Sequence, residues 1–345
     1  MKAIDKQKIS DFYNKYYKRV LILPFLLFLF SITYMVIFYN ATGDFIKKDI
    51  SLTGGTSIQV NTQMSIKELY DSLSPKFKDV SIRQVSDILT GEQVALIIET
   101  RSNPEEIKPV LESILGFSLN SENSTIEFTG STIGEGFYFQ LILAIIIAFT
   151  FMATVVFFIF STNKKLKFLS VILSLLTPLF FFFIKILSIN QAILLSLISL
   201  LLILLFSLKS SIPALAVITC AFADLFFTVT IVNLIGMEVS TAGIVAFLML
   251  IGYSVDTDIL LTTRVLKRRE GSVNSRIFNS FKTGILMTIT SLAVVAIGLI
   301  LTSSFSSVLN QIFLILFIGL IVDIFNTWVT NTSIIKWFVE KEKLY

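Results

Sequence analysis

Two carboxylates and an arginine interrupt the apolar stretch Ile251-Gly252-Tyr253-Ser254-Val255-Asp256-Thr257-Asp258-Ile259-Leu260-Leu261-Thr262-Thr263-Arg264. This stretch ends a long hydrophobic run, and a basic cluster follows it at Lys267, Arg268 and Arg269. An ionisable residue near the centre of a membrane span costs ~2.5–3.5 kcal/mol on insertion scales. Two such residues in one span therefore indicate a functional site. The alternative is that both carboxylates lie in the headgroup region and do little.

The composition is that of a polytopic membrane protein. Of the 345 residues, 54% are hydrophobic and only 15% are charged, and the mean hydropathy is +0.82. A soluble domain cannot keep so much apolar surface away from water. The chain contains no His, which excludes imidazole metal sites and His-based proton relays. Its single cysteine, Cys220, excludes an internal disulfide.

The N-terminal part of the chain predicts a tail and a first span. Residues 1–19 are rich in Lys and Arg and are expected to form a cytoplasmic basic tail. Residues 20–39 are apolar and long enough, at about 20 residues, to cross a bilayer. A secretory signal would have a shorter apolar region followed by a small-residue cleavage site, so we expect a retained first transmembrane helix.

Residues 40–136 have the pattern of a small soluble domain. Short alternating segments predict strands, and Ser65 and Asn103-Pro104 mark the starts of two helices. The order βαββαβ predicts an extracytoplasmic ferredoxin-like domain of two layers. Nothing in it resembles a catalytic constellation, and Arg83 is interpreted as a surface charge.

Residues 137–335 predict a transmembrane bundle, followed by a cytoplasmic tail at 336–345. With the first helix there are eight predicted spans, and the other seven are at 138–160, 167–187, 190–207, 212–236, 240–264, 284–303 and 311–335. The helical pair within 161–208 has a very short connection and could also be one re-entrant hairpin. Lys and Arg concentrate in alternate connections, so both termini are expected in the cytoplasm.

Four aspartates lie within the predicted spans. Asp224 and Asp323 are at the middle of theirs, whereas Asp256 and Asp258 are about 200° apart around one helix. A helix that is polar on two sides should be central in the bundle or line a hydrated cavity. Arg264 could pair with one of these carboxylates or lie at the membrane interface.

The polar residues near Asp323 could simply hold helices together, because amides and hydroxyls do this in membranes. Aspartates would serve that role no better than neutral amides and would add an ionisation cost. A carboxyl group can instead take up and release a proton as its surroundings alternate. We therefore assign one set of ion-coupling candidates, namely Asp224, Asp256, Asp258, Asp323 and Arg264. We predict no catalytic residue, no metal site and no cofactor.

Several motifs resemble one family. Gly252-Tyr253-Ser254-Val255-Asp256-Thr257-Asp258 resembles the archaeal form of the signature of SecF members in the SecD/SecF protein-export family, part of the resistance-nodulation-division superfamily. Gly54 and Gly55 stand where the family has Phe-x-Gly-Gly-Thr, with Leu52 in place of the Phe. The span that contains Asp224 and the segment Asp323-Ile324-Phe325-Asn326 are also similar to the family's. The resemblance thus adds one set of motif residues: Gly252, Tyr253, Ser254, Gly54, Gly55 and Asn326.

The family plan is one helix, an extracytoplasmic ferredoxin-like domain and five further helices. Relative to that plan, residues 161–208 look like an inserted helical pair. The resemblance implies a subunit that acts with SecD beside the Sec translocation channel and uses the ion gradient, from protons or sodium, to help exported polypeptides cross the membrane. It implies no nucleic-acid partner.

Two other functions remain open from the sequence. The chain could be a non-conducting scaffold of the translocase, with its aspartates paired to a partner helix. It could also be a small-molecule efflux transporter of the same superfamily, although a single small external domain leaves little room for a drug-binding cleft. The basic loop at 264–282 could contact the channel, the ribosome or anionic membrane lipids, or act only as a topology signal.

Overall fold

The computed structural model describes residues 16–77, 79–86, 90–182, 188–267, 271–302 and 306–343. Several sequence predictions fall partly outside these ranges: the basic tail up to residue 15, the ends of the spans at 167–187 and 284–303, the basic residues Arg268 and Arg269, and the last two residues of the tail at 336–345.

Helices account for most of the chain, and four strands interrupt them in its first half. In chain order the elements are α1 (Ile22–Thr42), α2 (Ile50–Thr53), β1 (Gly55–Val60), α3 (Ile66–Leu73), β2 (Ser81–Ser86), β3 (Gln93–Thr100), α4 (Pro104–Leu115), β4 (Ser124–Thr129), α5 (Ser131–Phe160), α6 (Lys164–Phe182), α7 (Ile189–Ser210), α8 (Ile212–Leu234), α9 (Thr241–Lys267), α10 (Val273–Thr302), α11 (Ser307–Phe325), a π-helical segment (Asn326–Asn331) and α12 (Thr332–Lys341).

Within the described residues, seven helical stretches are long and apolar enough to cross a membrane. They are Tyr16–Thr42, Ile133–Phe160, Ile189–Ser210, Ile212–Leu234, Thr241–Lys267, Val273–Thr302 and Val308–Lys341. Helix α6 is not among them, because three lysines occupy its first turn and its predicted continuation lies outside the described residues. A multi-span helical protein is confirmed, and the count of eight spans stays a prediction.

Helix α9, which carries the central motif, lies in the middle of the bundle. It packs against α5, α8, α10 and α11. Small residues permit this close packing: a Cβ atom added to Gly319 of α11 would lie 2.5 Å from Leu250 Cδ1 of α9. The Leu250 side chain can pack this closely against α11 only because Gly319 has no side chain.

Two helices are longer than the sequence indicated. Helix α10 begins at Val273, well before the predicted span at 284–303, so Arg276 lies on its first turns rather than in a loop. Arg276 is buried and donates to the carbonyl oxygen of Val265 over 2.7 Å, which joins the start of α10 to the end of α9. Helix α12 likewise continues through Lys341, past the predicted end at residue 335.

Both ends of the described chain meet on one side of the bundle. The Tyr17 hydroxyl donates to a carboxylate oxygen of Glu340, and Lys336 Nζ lies 4.9 Å from the centre of the Tyr17 ring. Lys336 is almost fully buried and donates to Asn274 Oδ1 over 2.9 Å. Lys336, with which the predicted cytoplasmic tail begins, is therefore part of the helix packing.

The segment between α1 and α5 folds into a domain of two layers. Its sheet is antiparallel, with the strand order β2-β3-β1-β4, and α3 and α4 cover one face. Ile58, Leu96 and Ile98 from the sheet pack against Leu69 and Leu111 from the helices. The predicted strands and helices are present with slightly different bounds, because apolar residues alternate on the strands and recur at helical spacing between them.

The domain opens with the short helix α2, which the sequence analysis did not include. Asp49 Oδ1 accepts a hydrogen bond from the Ser51 backbone over 2.9 Å and caps this helix. Gly54 then passes close to the start of α5, where an added Cβ would lie 2.4 Å from Ser131 Cα. Only glycine fits at this contact.

Candidate functional site

Three of the predicted aspartates meet inside the bundle. Asp224 comes from α8, Asp258 from α9 and Asp323 from α11, and their relative exposures are 0%, 0% and 1%. We call these three side chains the carboxyl cluster. They are held by hydroxyl and amide groups from the same helices and from the π-helical segment.

Asp224 has both carboxyl oxygens occupied. The Ser254 hydroxyl donates to Oδ2, and Asn326 Nδ2 donates to Oδ1 over 2.6 Å. The Thr330 hydroxyl donates in turn to Asn326 Oδ1 over 3.3 Å, which orients the amide. Asp224 is therefore fixed between α9 and the π-helical segment.

Asp258 and Asp323 share one hydroxyl group. Thr327 Oγ1 lies 2.9 Å from Asp258 Oδ1 and 3.2 Å from Asp323 Oδ1. Asn331 Nδ2 also donates to Asp258 Oδ1 over 2.7 Å, and the Thr257 hydroxyl donates to Asp323 Oδ2 over 3.3 Å. A hydroxyl group has a single proton to donate, so Thr327 can satisfy only one of the two carboxyls as a donor.

The π-helical segment Asn326–Asn331 brings these donors together. Its wider turn is closed by the Thr332 hydroxyl, which donates to the Thr327 carbonyl five residues earlier over 2.8 Å. As a result Asn326 reaches Asp224 while Thr327 and Asn331 reach Asp258. Such single π-turns often occur at functional sites.

The carboxyl cluster contains no paired cation. Within the described ranges, no Lys or Arg forms an ion pair with Asp224, Asp258 or Asp323. Arg264 instead donates to Thr283 Oγ1 over 2.7 Å and to the Asn279 carbonyl over 3.2 Å, both on α10. No group of three or more acidic or sulfur ligands in the described residues is arranged to hold a metal ion.

Asp256 lies on the opposite side of α9 from the carboxyl cluster. It is exposed, as are Gly252 and Tyr253 on the same face, and Tyr253 has a relative exposure of 45%. Among the described residues Asp256 has no hydrogen bond or ion pair. The structure thus brings three of the four predicted aspartates together and leaves the fourth facing outward.

Sequence reasoning missed Thr257 as a carboxyl ligand and did not foresee the π-turn. Thr257 lies between the two aspartates of the central motif, and that position was the available signal. Trp328 packs beside the site: a Cβ atom added to Gly284 of α10 would lie 2.5 Å from its ring, so this glycine makes room for it.

Comparison with known proteins identifies close counterparts. A family model described as protein export membrane protein SecD/SecF, C-terminal, matches residues 185–341. A protein-export membrane protein SecF from Methanolacinia petrolearia is 30% identical over 326 residues, which is 94% of this chain and 94% of that protein. One from Pyrococcus furiosus is 29% identical over 340 residues, or 98% of this chain and 96% of that protein.

Solved structures share the fold. The crystal structure of SecDF, a translocon-associated membrane protein from Thermus thermophilus, superposes with a TM-score of 0.59 at 18% sequence identity. The match covers 94% of this chain but only 38% of that one. A second SecDF structure, in a super-membrane-facing form, gives a TM-score of 0.51 at 17% identity, with 95% of this chain and 39% of that chain covered.

Proposed function

The chain belongs to the SecF family of protein-export membrane proteins, and from that membership we propose how its buried carboxyls take part in export. It is a multi-pass membrane protein with a SecF-like role in protein export, and SecF is not an enzyme family. The proposal is that the carboxyl cluster takes up and releases the coupling ion that drives export. The observation that carries it is the burial of three carboxyls among neutral donors, with no cation paired to them among the described residues.

The shared hydroxyl of Thr327 indicates how a proton would be held. Thr327 can donate to one carboxyl and accept from the other, so both contacts are satisfied when one of Asp258 and Asp323 carries a proton. If both were ionised, one carboxylate would face a hydroxyl oxygen without a donor in a low-dielectric site, at a cost of about 1–3 kcal/mol. The arrangement therefore suits a single exchangeable proton.

The surroundings of Asp258 suit a small ligand. Its Oδ2 atom, Thr262 Oγ1 one turn along the same helix, and Asn331 Oδ1 are buried and have no partner among the described residues. Buried oxygens without partners are rare in proteins and usually mark a bound water, ion or proton. The coupling ion is thus a proton or a sodium ion held at Asp258, with a proton favoured by the hydrogen-bond pattern at Thr327.

The outward face of α9 supports a second part of the proposal, a partner helix. An ionised Asp256 inside a membrane span would not remain in contact with lipid. Gly252 has nothing within 4 Å of an added Cβ atom, so another helix could approach closely there. We assign this face to SecD, because the solved structural counterparts are SecDF chains in which the matched part is 38% of the whole. Loss of SecD co-purification in Asp256→Leu but not Val245→Leu would support this, and full retention would refute it.

The membrane placement of the chain is also a proposal. The βαββαβ order and the antiparallel strand order support a ferredoxin-like domain. The positive-inside distribution puts that domain outside the cell, puts both termini in the cytoplasm and favours eight spans. In that placement the domain would meet the exported polypeptide near the Sec channel, and the apolar outer helix faces would contact membrane lipids. The helical hairpin of α6 and α7 would be an addition to the six-span family plan.

The test is export across vesicle membranes that contain the Sec channel, SecD and this protein. We expect Asp258→Asn and Asp323→Asn to remove most of the stimulation that an imposed ion gradient gives, while Asp71→Asn in the external domain leaves it unchanged. Imposing proton and sodium gradients separately identifies the ion. Undiminished stimulation in both cluster variants would refute the coupling role and favour the scaffold, whereas drug accumulation in a deletion strain would favour an efflux transporter.

A further inference from the structure

A cleft separates the open face of the sheet from the membrane bundle. It comprises two adjoining cavities of about 370 and 480 Å³. Both are lined by Arg83 and Ile97 of the sheet and by Ser306 and Gln311 at the start of α11. Helices α3 and α4 cover one face of the sheet. The other face lies opposite the outer ends of the membrane helices.

A buried acidic group lines the first of these two cavities. Glu99 of β3 has a relative exposure of 6%, and its Oε1 atom accepts a hydrogen bond from Arg83 of β2. Its second oxygen, Oε2, is buried without a partner among the described residues, and so is Arg83 Nε. A single hydrogen bond from a partly exposed arginine leaves half of a buried carboxyl group unsatisfied, so the site suits an added proton.

The groups that face Glu99 come from both sides of the cleft. Asp49, with a relative exposure of 8%, and Glu238 are on the bundle side, Arg83 is on the sheet, and Lys47 and Glu127 line the edges. Burial raises the pKa of Glu99, the negative charges of Asp49 and Glu238 raise it further, and the Arg83 guanidinium opposes them. Burial also raises the pKa of Asp49.

One edge of the domain is fixed to the bundle beside the cleft. The Val239 amide donates to the Lys47 carbonyl over 2.7 Å, and the Asp49 amide donates to the Val239 carbonyl over 3.1 Å. Asn233 Nδ2 donates to the Phe45 carbonyl over 2.8 Å. These bonds fasten the linker to the turn between α8 and α9, and α2 with Gly54 packs against the start of α5. The open face of the sheet, by contrast, meets the bundle across the cleft. Such an arrangement allows the domain to tilt about its linker.

We propose that Glu99, with Asp49 across the cleft, forms a proton-binding site outside the membrane spans, and that its proton occupancy sets how closely the external domain sits on the bundle. When Glu99 is protonated it tolerates the buried position, and the cleft stays closed. When Glu99 is ionised it is better hydrated in an open cleft, so the domain lifts as the pH rises. The site is separate from the carboxyl cluster and needs no ion to cross the membrane.

The experiment is a distance measurement on the full chain in lipid nanodiscs. Spin labels at Ser81→Cys on β2 and Ile235→Cys on the α8–α9 turn report the width of the cleft, and the native Cys220 is fully buried and will not react. We expect the distance to increase between pH 5 and pH 9 in the parent chain. Glu99→Gln keeps the acceptor for Arg83 and should hold the short distance at every pH, while Asp71→Asn, an exposed acid on α3 outside the cleft, should behave like the parent.

A second variant gives an independent readout. Asp49→Asn keeps the cap of α2 but removes a negative charge near Glu99, so the midpoint of the transition should move to lower pH. A distance that does not change with pH, or a Glu99→Gln chain that still opens, would overturn the proposal. Because the readout is a distance and not export, its failure can be told apart from a failure of the proposed coupling role.

Discussion

The carboxyl cluster and the cleft use the same side chains in opposite surroundings. Inside the bundle, the hydrogen bonds that the described residues make to Asp224, Asp258 and Asp323 come from neutral hydroxyl and amide groups. In the cleft, Glu99 is paired with Arg83 and borders cavities large enough for many waters. The comparison shows that burial alone does not define the role of an acid: what matters is whether a charge or a fixed dipole satisfies it, and whether water can reach it.

The two regions are also built differently. The cluster depends on tight helix packing, with Gly319 against Leu250 and Gly284 against Trp328. The cleft depends on an edge of backbone bonds and an unfilled space beside it. Packed helices hold hydrogen-bond donors within tenths of an ångström of their positions. A hinged domain, by contrast, can change its distance from the bundle at little cost in free energy. We expect substitutions in the cluster to affect ion coupling, and those in the cleft to affect docking and its pH dependence.

The largest effect is expected from Thr327→Val, which removes the hydroxyl between Asp258 and Asp323. The change preserves shape but leaves the two carboxyls without their shared donor, at a cost of about 1–3 kcal/mol. That corresponds to a loss of gradient-stimulated export of roughly 5- to 150-fold. The matched control is Thr150→Val on α5, because the Thr150 hydroxyl is equally buried but donates to the Ile146 carbonyl of its own helix over 2.7 Å. Equal losses in both variants would mean that the bridge has no special role.

A smaller, pH-dependent effect is expected from Arg83→Met. Removing the guanidinium leaves Glu99 and Asp49 without the cation that opposes their raised pKa values. An acid whose pKa is raised in the docked state stabilises docking at low pH, where it is protonated, and loses this contribution as the pH rises. The domain of Arg83→Met should therefore loosen at pH 8 more than at pH 5. The difference should reach about 1–2 kcal/mol, below the value for a fully buried pair because Arg83 is partly exposed.

Hydrogen exchange of the β2 and β3 amides measures this loosening. Arg101→Met is the control, because Arg101 is mostly exposed and lies 3.7 Å from Asp79 on the domain surface. Its exchange rates should match the parent at both pH values. A loss of protection in Arg83→Met that is the same at pH 5 and pH 8 would show that the cleft acids do not titrate with docking.

The sequence predicted the elements of both regions but not how they meet. Hydrophobic runs and the Asp-containing motif placed Asp224, Asp258 and Asp323 within three predicted spans and made them functional candidates, because an ionisable residue in a span is costly. Which faces of these spans pack together did not follow from the sequence. The opposite orientations of Asp256 and Asp258 on α9 were predicted, because residues two positions apart lie about 200° apart around a helix. The π-turn and the role of Thr257 did not follow, since a local change in helix pitch leaves no clear pattern in side-chain type.

The cleft was missed because its members are far apart in the chain. Asp49 is in a linker, Arg83 and Glu99 are on paired strands, and Glu238 is in a turn between two membrane helices. The local sequence around each of them is typical of an ordinary surface charge, and the sequence analysis interpreted Arg83 in that way. The packing of the sheet on the bundle, which decides their burial, depends on tertiary contacts that no local pattern encodes.

The smallest effect is expected from Lys47→Met, which tests whether the linker is held by side-chain charge or by its backbone. Lys47 Nζ lies 3.1 Å from Glu238, but the Lys47 side chain is 52% exposed, and exposed ion pairs contribute only about 0–1 kcal/mol. The Lys47 carbonyl, which accepts from the Val239 amide, is unaffected by the substitution. Exchange of the Val239 and Asp49 amides should therefore stay within a few-fold of the parent. Lys48→Met should disturb them more, because Lys48 is largely buried and contacts both Asp44 and the Tyr138 ring. Fast exchange in Lys47→Met alone would mean that charge, rather than backbone pairing, fixes the hinge about which the external domain tilts.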